Sequence, residues 1–226
     1  SAAIIYPDAD IDRAVDSTVK GIFRPNAGQI CVAMSRVIVH PKIKDEYMSK
    51  LISKTKELKV GSGADEDTDV TPLISKNQMQ RVSNYVKSGI QSGAELTIGG
   101  KEAENKQGNF YQPTIFDNVK TDSTIAQEEI FGPVTSVFNF KDEEEAVDIA
   151  NSTNFGLASG VFTSDDQKAK WTAERIQAGV IWHNDWFVDG TNLPGGGYKR
   201  SGYGRDGGMD GIYSHGQTKR VSKRLY

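Results

Sequence analysis

The stretch "ASGVFTSDDQKAKWTAERIQAGVIWHN", residues 158–184, decides the fold. A short apolar run leads into an Asp-rich helix start, a helical segment follows, and "GVIWHN" closes it as a second apolar run. Strand, helix and strand in that order argue for an α/β fold with a mostly parallel sheet. Upstream the alternation continues. "DEEEAVDIANST" reads as a helix whose acidic first turn suits the helix dipole. "AELTIG", "FYQPTIF" and "VTSVFNF" read as strands, and "SKNQMQRVSNYVKSGIQSG" as a helix ending at Gly93. Ile43, Tyr47, Leu51, Ile52 and Leu58 fall at near-helical spacing, after a β-branched strand "SRVIVHP" closed by Pro41. The chain opens with an apolar strand, "AAIIY", and a helix, "DADIDRAVDSTVKGIF". Downstream, "NDWFVDGTNLPGGGYKRSGYGRDGG" is too long for a plain connector and too rich in glycine and aromatics to be inert. No repeat or linker divides residues 1–226, which read as a single domain.

Composition excludes several classes. The 226 residues carry a net charge of −3 with both signs interspersed, so no broad basic field for nucleic acid exists; only "TKRVSKRLY" is locally basic. No apolar run approaches the ~20 residues that span a bilayer, and the start lacks the basic and apolar pattern of a signal peptide. A single cysteine forms no internal disulfide, which fits a reducing compartment; the cytoplasm is expected. An apolar strand at the very start, with no methionine before it, reads as a portion of a longer protein.

Three motifs lead nowhere. "GYGRDG", residues 202–207, matches the dinucleotide fingerprint in letters but lacks a strand before it and an acidic partner after it. Asp65, Asp67 and Asp69 alternate as in a calcium loop, without its glycine or its distal glutamate. His40, His183 and His215 have no partner at metal-ligand spacing, so no metal site is expected.

The lone Cys31 is harder to place. Ile30, Val32 and Ala33 suit a buried, inert thiol, the more common state of a free cysteine. Gly28 just before it and a strand just after it instead put the sulfur where a loop meets a sheet, a frequent position for a nucleophile. Spacing leaves both readings open.

Beyond spacing, "GQICVAMSR", residues 28–36, resembles the cysteine signature of the aldehyde dehydrogenase superfamily, F-x-x-x-G-Q-x-C-x-A-x-S-R. "YPDADIDRAV", "IAQEEIFGPV", "ANSTNFGLASGVFTSD" and "LPGGGYKRSGYGRDGG" resemble further family segments in the family's order. Two departures stand out. Phe23 lies one residue too far from Gly28, as if Pro25 were inserted, and Gly195 replaces a common aromatic.

The resemblance implies an open, twisted, mostly parallel sheet with flanking helices. It implies NAD(P)-dependent oxidation of a small-molecule aldehyde to an acid, with Cys31 as the nucleophile that forms a thiohemiacetal and then a thioester. Glu129 would hold the nicotinamide ribose of NAD or NADP, and Phe131 would pack beside the ring. Asn184, Trp186, Phe187 and Gly195 would belong to the substrate pocket. The family's general base, in an E-L-G-G-K motif, and most of its dinucleotide-binding domain match nothing in residues 1–226, so this portion alone is expected to be inactive. Residues 217–226 would form a strand supporting a homodimer or homotetramer. Two rival readings are a non-catalytic domain that keeps the fold and oligomer surface, and a relative in which coenzyme A resolves the thioester.

Overall fold

A computed structural model describes residues 1–104, 107–188 and 192–226. Strand β1 (Ala2–Ile5) and helix α1 (Ile11–Ile22) begin the chain. Asp10 caps α1 by accepting from Arg13 N–H at 3.0 Å, while Ala14, Val15, Thr18, Val19 and Ile22 bury one face. Strand β2 (Arg36–Val39) is wholly buried. Pro41 ends that strand and also opens α2 (Pro41–Glu57), because its fixed φ suits the first helical position; His40 Nδ1 accepts from Lys42 N–H.

Helix α3 (Lys76–Gln91), capped by Ser75, leads to β3 (Glu95–Ile98), β4 (Thr114–Asp117), the single turn α4 (Thr124–Gln127) and β5 (Val134–Asn139). Helix α5 (Glu143–Asn151) carries Glu143, Glu144 and Glu145 in its first turn. Strands β6 (Phe155–Gly156) and β7 (Ala158–Phe162), helix α6 (Asp166–Arg175) and strand β8 (Val180–His183) follow. Last come β9 (Tyr198–Lys199) and α7 (Gly208–Ser214).

Seven strands form one sheet in the order β3-β4-β5-β2-β1-β7-β8, parallel except for the edge strand β3, which runs antiparallel to β4. The four central strands start within two residues of one another. Ala2 is in register with Arg36 on one side and Ser159 on the other, and Arg36 with Ser136. Ala2, Arg36, Ser159 and Ser136 therefore form one row near what we call the amino edge. Both faces are covered, so β1 and, after Arg36, β2 are apolar runs without alternation.

The "GYGRDG" residues follow the two-residue β9, which pairs only with β6 outside the main sheet, and lead into seven-residue α7; this is not a dinucleotide turn. Residues 217–226 carry no strand pairing within the chain. A strand needs a partner backbone, so that expectation passes to the assembled protein.

Candidate active site

Helix α1 gives way to a tight turn, Pro25–Gly28, in which Asn26 (φ 51), Ala27 (φ 52) and Gly28 (φ 73) all take the left-handed region. Gly28 is required there by contact as well as by φ, since a Cβ on it would stand 2.2 Å from the Gly132 carbonyl oxygen. The turn thereby lies directly on the loop that contains residues 128–133. Gln29 is buried and ties the turn to the segment before α3. Its Oε1 accepts from Ile74 N–H at 2.9 Å, and its Nε2 donates to the carbonyls of Asn26 (2.9 Å) and Pro72 (3.4 Å). From the other side, Trp186 Nε1 donates to the Val32 carbonyl at 3.1 Å and Met34 N–H to that of Gly21 at 2.9 Å. Cys31 projects from the part of the loop between these grips, and it is exposed. The buried-filler reading falls: a thiol in solvent contributes nothing to a core.

A cavity of about 280 Å³ opens at the amino edge of the sheet. Cys31, Glu129 and Phe131 line it together, with Gly28 and the strand-start residues Ala2 and Arg36. Phe131 has φ 59, and 37% of it is exposed. Gln78 Nε2 donates to the carbonyls of Ile130 and Phe131, and Arg81 Nη2 to that of Glu129, so α3 holds this loop from behind.

Arg36 places a buried positive charge in the cavity wall. Burial lowers its pKa to about 10, which leaves it ionised at neutral pH. It has no carboxylate within ion-pair distance among the described residues. Instead its guanidinium donates to the carbonyls of Ile149 (2.8 Å) and Ala150 (3.3 Å) and to Ser152 Oγ (3.1 Å). These are the last groups of α5, where the helix dipole favours a cation. Lys199 adds a second cation there, donating to the carbonyls of Asn151 and Thr153; burial and then Arg36 lower its pKa.

The other expected pocket residues do not line this cavity. Asn184 is a strap. Its Oδ1 accepts from Thr163 N–H at 3.0 Å and its Nδ2 donates to Thr163 C=O at 2.8 Å, locking the ends of β7 and β8 at the opposite edge of the sheet. Both polar ends of its side chain are thus engaged with backbone in closing this turn. Trp186 is fully buried, its ring set against Gly160 and Gly21, where added Cβ atoms would approach to 2.9 and 3.1 Å. It supports the cysteine loop rather than walling a pocket. Phe187 packs edge-on to Trp182 and Trp186. Gly195 exchanges backbone hydrogen bonds with Asp206 at 2.7 and 2.8 Å. Among the described residues no group of acidic, histidine or cysteine side chains forms a metal site.

Sequence reasoning passed over Gln29, Arg36, Gln78 and Arg81. Gln29 lies inside the quoted cysteine motif, and Gln78, Arg81 and Tyr85 share a helical stripe at i, i+3 and i+7. Arg36 is a charge opening a β-branched run, "RVIV", in a sheet with both faces covered.

The profile of the aldehyde dehydrogenase family matches residues 1–221. The chain belongs to the aldehyde dehydrogenase family. It is 41% identical over 221 residues to betaine aldehyde dehydrogenase of Bacillus subtilis (strain 168), covering 96% of this chain and 45% of that relative. The NAD-dependent aldehyde dehydrogenase of Sinorhizobium meliloti superposes with a TM-score of 0.94 at 40% identity, covering 97% of this chain and 43% of that one. The betaine aldehyde dehydrogenase of Staphylococcus aureus, solved with NAD+, gives 0.92 at 38% identity, with 95% and 43% covered. This aldehyde dehydrogenase chain thus spans less than half the length of these relatives.

Proposed function

We propose that the intact protein oxidises an aldehyde to a carboxylic acid with NAD+ or NADP+, Cys31 acting as nucleophile. The observation that carries this reading is that the exposed Cys31 shares one cavity with Glu129 and Phe131.

The cavity fits the cofactor's nicotinamide end. Its volume of about 280 Å³ suits a ring and a sugar rather than a whole dinucleotide, and Phe131 offers an exposed aromatic face while Glu129 offers a carboxylate to ribose hydroxyls. The cofactor, when bound, accepts the hydride from the substrate carbon. Cys31 supplies the rest of the first step: its thiolate adds to the aldehyde carbon, a C–S bond forms, and the carbonyl electron pair moves to oxygen. The Cys31 backbone N–H, which meets no carbonyl among the described residues, is a donor for that oxyanion. Arg36 supports negative charge in the same space from the wall behind. Loss of hydride leaves a thioester on Cys31, and water releases the acid; the resemblance assigns the base for that water to the E-L-G-G-K motif, outside residues 1–226. Without most of the dinucleotide-binding domain there is no bound hydride acceptor, so this portion alone should go no further than reversible addition of Cys31 to the aldehyde. The reading carries with it a homodimer or homotetramer in the cytoplasm, in keeping with the single free cysteine. Betaine aldehyde is the first substrate to try, since two of the relatives bear its name.

The test is NAD+ and NADP+ reduction by the intact protein with a panel of aldehydes, repeated for Cys31→Ala. Loss of reduction by a factor of about 10⁴ or more is expected on removing the nucleophile. Reduction that survives in the variant sinks the role of Cys31. A wild-type protein silent with every aldehyde favours the non-catalytic reading, and acid formed only as its coenzyme A ester favours acyl transfer.

A further inference from the structure

Phe131 is a bulky residue in the left-handed region, a conformation that costs roughly 1–3 kcal/mol and persists only when its surroundings impose it. The imposing group is on α3. Gln78 Nε2 donates to the Ile130 carbonyl at 3.1 Å and to the Phe131 carbonyl at 2.7 Å. One amide nitrogen therefore gathers the carbonyls on both sides of the Phe131 Cα, which closes the backbone into the tight turn that a positive φ produces. The same stripe of α3 continues the grip. Arg81 Nη2 donates to the Glu129 carbonyl at 2.9 Å and to Tyr85 Oη at 3.1 Å, and Tyr85 Oη donates to the Glu128 carboxylate at 2.7 Å. Beneath them the fully buried Val82 fits against Gly132, where a Cβ would come within 2.5 Å of Val82 Cγ2.

We propose that Gln78 is a positioning residue: it enforces the left-handed Phe131 and so sets the orientation in which Phe131 and Glu129 face the cavity. This rests on the reading of those two residues as cofactor contacts. Gln78 is half-buried, and its amide nitrogen is committed to the loop rather than to solvent. Gly28 lies against Gly132 one residue further on, so the turn that Gln78 enforces is also the platform of the cysteine loop.

The test is a double-mutant cycle in the intact protein, with Gln78→Met, Phe131→Gly and the pair. Glycine takes positive φ at no steric cost, so in that background Gln78 has nothing left to enforce. Gln78→Met alone should raise the KM for NAD+ about tenfold while kcat changes less than about twofold. On the Phe131→Gly background the same substitution should change that KM by less than about twofold. An equal penalty on both backgrounds overturns the proposal and leaves Gln78 as ordinary helix packing. The unfolding equilibrium in urea is measured on the same four proteins. Coupling of about tenfold in the unfolding constant is expected and additivity overturns it, so the inference stands or falls even if the wild type reduces no NAD+ and the functional reading fails.

Discussion

The two edges of the central sheet are built on opposite terms. At the carboxyl edge, polar groups close on each other. Asp8 Oδ2 accepts from Thr163 Oγ1 (2.7 Å), Ser164 N–H (3.1 Å) and Ser164 Oγ (2.9 Å), Lys168 stands 3.5 Å from its other oxygen, and Asn184 straps Thr163. At the amino edge, Ala27 and Phe131 hold unfavourable backbone angles, the Arg36 Nε is buried with no partner among the described residues, and a cavity remains. Open α/β sheets usually bind ligands beyond the carboxyl ends of their strands. Here the polar groups of that edge bond to one another, and the unfilled edge carries the exposed Cys31. Left-handed backbone occurs at both edges, at Asn118 and Asn184 as well as at Ala27 and Phe131, so the open cavity and, among the described residues, the unpartnered charge in its wall, more than topology or strain, mark the site.

Three variants can break that contrast. The largest effect is expected of Gly28→Ala, whose methyl group meets the Gly132 carbonyl at 2.2 Å in a left-handed backbone. It should cost about 3 kcal/mol or more in urea unfolding and abolish turnover, because the cysteine loop must lift off its neighbour. A mild effect would mean that the two loops move independently.

At the carboxyl edge, Asp8→Asn should cost only about 1–2 kcal/mol and leave the alkylation rate of Cys31 by iodoacetamide unaltered. Its pH dependence has a definite sign. Burial alone would raise the Asp8 pKa, but the hydrogen bonds from Thr163 and Ser164, with Lys168 nearby, outweigh it and hold the carboxyl at about 2, below its ordinary 3.8. A depressed folded pKa gives stability that is complete above 3.8 and lost as pH falls through about 2. Acid titration of unfolding should show that loss in the wild type and not in the variant. Slower alkylation in Asp8→Asn would show that the edges communicate.

The smallest effect is expected of Gly195→Phe, which restores the aromatic common in the family. The nearest atom to an added Cβ is Val180 Cγ2 at 3.5 Å, ordinary contact, so stability should change by no more than about 0.5 kcal/mol. The KM for NAD+ should not move; a rise of about tenfold would bring residue 195 into the amino-edge cavity after all.

Most of the fold was legible because it rests on patterns that residues carry locally. Ser75, Asp142 and Asp165 cap their helices where the sequence places them, and the buried runs at β1 and β2 are apolar as read. The site was legible only as far as resemblance reached. Cys31, Glu129 and Phe131 share a cavity, but nothing in the letters "EEIFGPV" says that Phe131 is left-handed, because α3, some fifty residues upstream, imposes that angle. The resemblance implies a pocket role for Asn184, but which edge a strand end faces depends on the direction of its neighbours, and β8 runs parallel to β7. Arg36 escaped notice because its partners are carbonyls at the end of α5, more than a hundred residues away.

The grips on the cysteine loop also govern how its length can drift over descent. From residue 28 onward, contacts at Gly28, Gln29, Val32 and Met34 pin the chain to four separate neighbours, so a gained or lost residue would misregister the thiol against all of them. Upstream, the turn Pro25–Gly28 is a place where one more residue can be folded in before the first of those pins. Phe23 and Arg24 lie on that side, so a residue gained or lost there would leave the contacts on either side of Cys31 in register.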